Sequence, residues 1–406
     1  MNIFRPSLNS LSLFSLAVLT IGIFPLQTKA APAYTLTNLG TFGGSFDFGM
    51  GVNAAGQVVR QVSTGGNTRA FLSGPNGTAF QELGTLGGAG SSGNGVSTSG
   101  RVVGSSFLAG NTTEHAFLSG ANGGALQDLG TFGGTSSQGF GVNDSGQVVG
   151  DADTTGNLAT HAFLSAAGGG LLKDLGTFGG TSSTGYGVNS SGQVAGIALN
   201  TSHFYHAFLS GVNGGALTDL GTFGGTSSYA RGVNDSGQVV VDAETVNGSM
   251  SHAFVTGANS STIQDIGTLG GPNSGSFGIN NSGQVVGQSD TTAGEVDAFI
   301  FANGVMTDLN TLIAPGSGFT LSSARGISDS GDIVGYGLTT GGELDAFLLT
   351  PTAPAVPEAS SVVSLGLLLG FGGFILAMRR PRYPQARRSP APVPSLSQPA
   401  LSRPAG

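Results

Sequence analysis

Residues Gly141–Gly150 read GVNDSGQVVG, and this phrase occurs with variations seven times along the chain. The glycine that closes its turn recurs every 44 to 48 residues, at Gly56, Gly100, Gly146, Gly192, Gly237, Gly283 and Gly331. Two further phrases repeat in phase: HAFLS, which contains Phe163, and DLGTFGG, which contains Thr177. Three phrases at one fixed period indicate an array of equivalent units.

Each repeat predicts four short antiparallel strands. The expected strands are residues 140–143, Gln147–Ala152, His161–Ser165 and Leu171–Leu175, with a turn at Asn143–Gly146. Asn and Asp accept backbone donors in such a turn, and Gly tolerates a positive φ. Four strands in about 45 residues is the length of a β-propeller blade. We therefore expect an all-β fold, a seven-bladed propeller over residues 34–350.

The two ends of the array are complementary. The last unit stops at Thr350 without its own fourth strand, and the array begins with an unpaired strand of that kind, Tyr34–Leu39. We expect the N-terminal strand to complete the last unit and close the ring. A linear solenoid would instead need capping repeats with polar outer faces.

Composition limits the function. Glycine accounts for 73 of 406 residues, charged residues for 9%, and there is no cysteine, so disulfides and thiolate metal sites are excluded. Between Tyr34 and Thr350 there are 21 Asp and Glu residues against 6 Lys and Arg, a net charge of about −15. An acidic array argues against nucleic-acid binding, because phosphates attract basic surfaces.

The N-terminal residues 1–31 have the pattern of a secretory signal peptide. Arg5 precedes an apolar run, Leu11–Phe24, and small residues follow at Thr28–Ala31. The run is too short to cross a bilayer comfortably. We expect the chain to be exported.

The C-terminal region predicts a membrane anchor. A Pro/Ala linker over residues 351–360 leads into Ser361–Met378, an apolar run long enough for one transmembrane helix. Arg379 and Arg380 follow it and would stay on the cytoplasmic side, leaving the array outside. We expect the rest of the basic tail, residues 379–406, to be disordered.

Five basic–acidic pairs recur at a separation of 13 residues: Arg69 with Glu82, His115 with Asp128, His161 with Asp174, His206 with Asp219, and His252 with Asp265. With the hairpin turn centred near Ala121 and Asn122, each pair would lie directly opposite in the third and fourth strands. We interpret them as structural cross-strand pairs, and the alternative is a metal ring or a general base. The sixth unit has Asp297 with Asp308, and in the seventh Asp345 would meet Asn38.

The position before each GV or GI varies between repeats, whereas its neighbours are nearly constant. It is occupied by Met50, Asn94, Phe140, Tyr186, Arg231, Phe277 and Arg325. Scaffold positions repeat and interaction positions diverge, so these residues form a candidate ligand-facing ring. The alternative is a blade edge with relaxed packing. The absence of Trp weakens the case for sugar binding by aromatic stacking.

No catalytic, cofactor or metal site is apparent. Asp151–Gly156 resembles a calcium loop superficially but lacks the later bidentate Glu. The Gly-Gly pairs are followed by no lysine, so they are no phosphate loop, and no G-x-S-x-G nucleophile motif sits between a strand and a helix. We expect no cofactor.

Two resemblances follow from these phrases. The HAFLSG, DLGTFGGTSS and GVNDSGQVVG phrases over residues 34–350 resemble the HAF repeats of bacterial extracellular proteins. Val356, Pro357 and Glu358, followed by the apolar run and by Arg379 and Arg380, resemble a PEP-CTERM sorting signal. The second resemblance implies an exosortase-type processing enzyme as partner and an envelope or surface destination in a Gram-negative bacterium.

The expected function is a cell-surface or matrix scaffold or binding protein, a monomeric array that is not an enzyme. One alternative is a propeller hydrolase or lyase acting on extracellular polysaccharide, which acids and a base converging at the axis would favour. The other is a protein-binding adhesin, which a contiguous apolar patch around Phe140, Tyr186 and Phe277 would favour. Propellers host all three functions.

Overall fold

The computed structural model of the chain describes residues 33–40, 47–245 and 250–352. Over these residues the fold is all-β, with short 3-10 turns at Pro75–Gly77, Ala121–Gly123, Thr155–Asn157, Ala258–Ser260 and Leu309–Leu312. No α-helix occurs in these three ranges, and they contain no helix that could span a membrane.

In chain order the strands are β1 (Tyr34–Gly40), β2 (Asp47–Val52), β3 (Val58–Thr64), β4 (Asn67–Leu72), β5 (Gln81–Glu82), β6 (Gly87–Val96), β7 (Val102–Leu108), β8 (Glu114–Ser119), β9 (Leu126–Asp128), β10 (Gly133–Val142), β11 (Val148–Thr154), β12 (Thr160–Ser165), β13 (Leu172–Asp174), β14 (Gly179–Val188), β15 (Val194–Asn200), β16 (Tyr205–Ser210), β17 (Leu217–Asp219), β18 (Ser228–Val233), β19 (Val239–Glu244), β20 (Ser251–Thr256), β21 (Ile263–Asp265), β22 (Gly270–Ile279), β23 (Val285–Thr291), β24 (Val296–Ala302), β25 (Val305–Asp308), β26 (Phe319–Ile327), β27 (Ile333–Thr339) and β28 (Leu344–Pro351).

The strands form four-stranded antiparallel units. Unit 1 is β2 to β5, and units 2 to 6 follow in steps of four strands, ending with β25. Unit 7 has the order β26-β27-β28-β1. Units 3 and 4 are joined into one sheet by a single parallel bridge between Thr160 and Ser182. Each sequence repeat therefore builds one antiparallel meander of neighbouring strands.

The first strand of a unit is longer than its sequence predicts. The prediction for unit 3 was residues 140–143, but β10 begins at Gly133. Tertiary contacts explain the difference, because Ser137 in this segment and its counterpart Ser183 in unit 4 each join two units: Ser183 Oγ accepts from Ala162 N at 2.8 Å and donates to Gly176 O at 2.6 Å. The Gly- and Ser-rich stretch, which has little strand propensity of its own, is held extended by its neighbours.

The turn between first and second strands also links each unit to the next. In unit 4, Asn189 Oδ1 accepts from Gln193 N at 2.9 Å, while its Nδ2 donates to Asn234 O of unit 5 at 3.0 Å. The glycine that closes the turn, Gly192, has a φ of +70°, which favours glycine. The same inter-unit bond is made by Asn53, Asn143, Asn234 and Asn280. We call this contact the asparagine clamp.

The hydrophobic core lies between neighbouring units. One cluster combines Val103 and Leu118 of unit 2 with Val148 and Phe163 of unit 3. Phe163, the phenylalanine of the HAFLS phrase, is fully buried. A cluster of the same kind contains Leu39 from β1 together with residues of units 7 and 1. The first and last units therefore pack against each other as internal neighbours do.

The N-terminal strand pairs with the last unit, as predicted from Tyr34–Leu39. Tyr34 is opposite Pro351 and Asn38 is opposite Phe347. Pro351, placed by sequence in the linker, thus belongs to β28.

Arg60 of unit 1 stabilises the contact between unit 1 and the N-terminal strand β1. Its guanidinium donates to Leu39 O at 2.9 Å and to Gly40 O at 2.7 Å, and it forms a fully buried ion pair with Asp47. Burial lowers the pKa of Arg60 to about 10, against the opposing effect of the Asp345 charge. Glycine occupies the equivalent position in five other units, at Gly104, Gly150, Gly196, Gly287 and Gly335. The arginine is therefore specific to unit 1, which lies next to the N-terminal strand of unit 7.

The predicted signal peptide, the predicted linker beyond Thr352, the apolar segment Ser361–Met378, the sorting motif and the basic tail lie outside the described residues. Those predictions stay predictions.

Candidate functional site

The ring position is a β-bulge in all seven units. The pairing of first and second strands skips one residue, always between the two neighbours of the ring residue. The bulged residues are Met50, Asn94, Phe140, Tyr186, Arg231, Phe277 and Arg325, all half-buried. A bulge re-aims a side chain and is common beside functional sites. The position that varies between repeats is thus the bulged residue of each unit.

Beside the bulges, the first strands of neighbouring units approach each other closely. A Cβ added at Gly141 would lie 2.7 Å from Tyr186 O of the next unit, so the residue after the bulge has to be glycine. The glycine and the valine or isoleucine that follow each bulge line an axial cavity of about 200 Å³, together with Phe277 and Arg325. The constant Gly-Val and Gly-Ile pairs thus form most of the cavity wall, and of the seven variable residues Phe277 and Arg325 line it.

Neighbouring ring residues contact each other from unit 3 to unit 5. The rings of Phe140 and Tyr186 are 5.2 Å apart, and the Arg231 guanidinium lies 5.2 Å from the Tyr186 ring. One unit earlier, Asn94 Nδ2 donates to Gly139 O at 2.7 Å. These contacts make a continuous surface of aromatic, amide and guanidinium groups.

A buried carboxyl, that of Asp242, and a half-buried one, that of Asp151, lie beside this surface. Asp242 Oδ2 is 3.2 Å from Arg231 Nε, and its Oδ1 accepts from the backbone N of Ser276 at 2.7 Å. Burial raises the pKa of Asp242 despite these stabilising partners. Asp151 accepts a hydrogen bond from Thr184 Oγ1 at 2.9 Å, and burial raises the pKa of Asp151 to about 6.

Tyr186 is electrostatically coupled to the same groups. Its pKa is raised mainly by burial, Arg231 acts in the opposite direction, and Asp151 and Tyr205 raise it further. A carboxyl with a pKa near neutrality that is coupled to a tyrosine phenol is the kind of arrangement that occurs at functional sites.

The second-strand position that holds Asp151 and Asp242 was not among the predicted site residues, although the sequence contains a signal for it. It varies between repeats as freely as the ring position, with Gln61, Ser105, Asp151, Ile197, Asp242, Gln288 and Tyr336. Asp151 was considered only as part of a calcium loop. In the structure it bonds Thr184, while Asp153 Oδ1 accepts from Thr160 Oγ1 at 2.8 Å. Within the described residues no group of three acids or histidines could hold a metal.

The structure brings the outer basic–acidic pairs together but corrects their register. His161 Nδ1 lies 2.8 Å from Asp174 Oδ2, yet the residue directly opposite Asp174 is Phe163. The predicted register is wrong by two residues, because the hairpin loop is centred farther along than expected. The pairs are diagonal neighbours, which long side chains can still bridge.

The other pairs have the same diagonal arrangement. The distances are 3.5 Å for Arg69 and Glu82, 2.9 Å for His115 and Asp128, 2.8 Å for His206 and Asp219, and 2.9 Å for His252 and Asp265. In unit 7, Asn38 Nδ2 donates to Asp345 Oδ2 at 2.8 Å. In unit 6, burial and the nearby Asp308 and Glu295 raise the pKa of Asp297. The histidines lie one per unit on outer strands, so they do not converge.

The three aromatic residues of the expected adhesin patch have different neighbours. Phe140 contacts Tyr186, whereas Phe277 packs under Arg325 at 4.1 Å from its guanidinium. None of the three aromatic residues is among the exposed large hydrophobic residues of the described chain.

No family model and no curated protein matches the chain. Among solved structures, it is similar to an oligogalacturonate lyase in complex with manganese, with a TM-score of 0.50 and 11% identity over 80% of this chain and 94% of that one. It is also similar to YCF48 bound to D1 peptide (TM-score 0.47, 11% identity, 80% and 97% covered) and to TolB from Acinetobacter baumannii (0.42, 10%, 77% and 65%). The chain thus spans just under two thirds of that TolB. The fold is all-β and propeller-like.

Proposed function

We propose that this chain is an exported surface or matrix protein, a closed seven-bladed β-propeller that binds a ligand in its axial cavity. Support for closure comes from the pairing of β1 with β28 and from the contacts of β2 with β26 and β27. A monomeric ring of this kind needs no partner chain to cover its strand edges.

The observation that carries the binding function is the ring of bulged residues. The same β-bulge occurs in all seven units and presents one side chain from each, and these side chains include aromatic, amide and guanidinium groups. A relaxed strand edge would leave such residues without mutual contacts, whereas Phe140, Tyr186 and Arg231 contact one another in sequence. Concave sites with a few converging polar groups are the usual form of ligand sites.

The proposed destination is the cell envelope or the extracellular matrix. The N-terminal signal pattern, the PEP-CTERM-like motif and the apolar segment Ser361–Met378 support export, processing by an exosortase-type enzyme, and anchoring in the inner membrane at least before processing. Extracellular polysaccharide is the proposed ligand class, and a surface protein is the alternative.

Calorimetric titration of the full chain with extracellular polysaccharide from the producing bacterium tests this function. We expect saturable binding that Tyr186→Ala weakens by about tenfold or more, because the variant removes the aromatic contact between Phe140 and Arg231. His161→Ala is the matched control, since it removes an aromatic side chain from an outer strand of the neighbouring unit. Equal binding by both variants would place the ligand elsewhere.

A second candidate function is cleavage of the same polysaccharide. It is favoured by the electrostatic coupling of Tyr186 to both Asp151 and Arg231, because a carboxyl with a pKa of about 6 can exchange protons near neutrality. Release of reducing ends or of unsaturated sugars by the wild type, lost in Asp151→Asn, would support the enzyme. Binding without release would support the binding protein.

A further inference from the structure

Two ring positions carry arginine, and only one arginine has a carboxylate partner. Arg231 is paired with Asp242, which lies 11 residues later on the second strand of the same unit. Arg325 has Tyr336 at the same offset, and its Nη2 donates to the Tyr336 hydroxyl at 2.9 Å. No carboxylate of the described residues forms an ion pair with Arg325. Unit 7 therefore has the cation of unit 5 without its counter-charge.

The surroundings of Arg325 are those of a receptor. Its guanidinium lies 4.1 Å from the Phe277 ring centre and 5.2 Å from that of Tyr336, and it lines the axial cavity. Its Nε is buried and has no hydrogen-bond partner among the described residues. Ser323, opposite Tyr336 in the strand pairing, is fully buried, and its hydroxyl also lacks a partner there. Buried donors without acceptors are costly, so this side of the cavity is complementary to an added acceptor.

We propose that Arg325 binds a carboxylate of the ligand, and that the ligand is an acidic saccharide whose carboxylate supplies the counter-charge that Asp242 supplies to Arg231. The inference rests on the proposed binding function and adds the chemical class of the ligand. Arginine forms charge-assisted bonds with carboxylates, and the rings of Phe277 and Tyr336 hold the guanidinium in place at the cavity.

A saccharide fits better than an acidic peptide. The cavity of about 200 Å³ has room for a single sugar residue. An acidic peptide would bring several charges to an array that is itself strongly acidic. A saccharide with one carboxylate per residue places a single charge at Arg325.

The test compares three probes on the full chain by calorimetry: a glucuronate-containing trisaccharide, the same trisaccharide with its carboxyls reduced to alcohols, and an acidic peptide. We expect only the carboxylated trisaccharide to bind, with Arg325→Gln lowering its affinity by about tenfold to a hundredfold. Arg69→Gln is the control, because it removes an arginine from an outer strand.

A second variant tests the mechanism. Tyr336→Asp supplies an internal carboxylate at the position of Asp242, so it should abolish binding of the carboxylated probe while Arg325 remains, whereas Tyr336→Phe should retain binding. Circular dichroism checks that each variant is folded.

The outcomes separate the two proposals. If both trisaccharides bind equally and Tyr186→Ala weakens them, the axial site stands and the carboxylate inference fails. Preference for the peptide would likewise overturn the saccharide class. If no probe binds to the wild type, the carboxylate inference fails, and the polysaccharide titration decides the function.

Discussion

Replacing Asn189 with alanine should destabilise the junction between units 4 and 5. Asn189 is 3% exposed, and its side chain makes contacts at 2.8 to 3.2 Å with Ser191, Gln193 and the Asn234 carbonyl. Alanine removes all of them and leaves Gln193 N without its acceptor. Because a net hydrogen bond contributes about 1 kcal/mol and an unpaired buried donor costs about 1–3 kcal/mol, we expect a loss of about 2–4 kcal/mol.

Asn189→Ser separates the contribution of the bonds within the turn from that of the bond between units. Units 2 and 7 carry serine at this position, and Ser97 Oγ accepts from Arg101 N at 3.2 Å but makes no bond to unit 3. Serine at 189 should therefore retain part of the turn and lose only the clamp, at a cost of about 1 kcal/mol.

Urea unfolding followed by circular dichroism measures both variants, and amide exchange locates the effect. We expect faster exchange at the boundary of units 4 and 5 in each variant. A loss below about 0.5 kcal/mol in Asn189→Ala, or equal losses in both variants, would refute the asparagine clamp as a stabilising contact between units.

Arg60→Gly introduces the residue that five other units have at this position, but it leaves Asp47 buried without its partner. Urea unfolding should therefore record a loss of about 3–5 kcal/mol in the free energy of unfolding, with faster amide exchange in β1. Unchanged amide exchange in β1 would contradict the role of Arg60 in holding the N-terminal strand. Because burial raises the pKa of Asp151 to about 6, its contribution to stability is present below pH 4 and is lost as the pH rises through 6. Asp151→Asn should therefore be more stable than the wild type at pH 7, by up to about 3 kcal/mol, and equal to it at pH 4; a pH-independent difference would exclude this titration. His161→Ala should cost about 0.2–1 kcal/mol in thermal unfolding without a defect in binding, and loss of binding in the folded variant would show that the histidine is functional.

The repeat itself made most of the fold predictable. The period, the Asn-Asp-Ser-Gly turn and the unpaired strand at Tyr34–Leu39 are local features, and local chemistry determines their structure. The first strands were predicted too short because their Gly- and Ser-rich residues are extended by bonds to other units, as Ser183 illustrates. The register of the outer hairpin was wrong because the conformation of its loop, with Asn122 at a φ of +51°, is not evident from composition.

The candidate site was predictable only in part. Variation among otherwise uniform repeats identified Arg231 and Arg325 as candidate ring residues. It could not reveal that both lie on bulges, or that one has Asp242 as a partner and the other Tyr336, because those relations depend on the pairing of two strands. Comparing both variable positions across units, rather than the first alone, would have found this difference.

A crystal structure of the full chain soaked with the glucuronate-containing trisaccharide tests the central claim most directly. We predict that the sugar lies in the axial cavity with its carboxylate against Arg325 and beside Phe277, which lines the same cavity. Sugar bound instead at the outer strands beside the His161–Asp174 pair, with the cavity empty, would contradict the assignment of the ring as the ligand site.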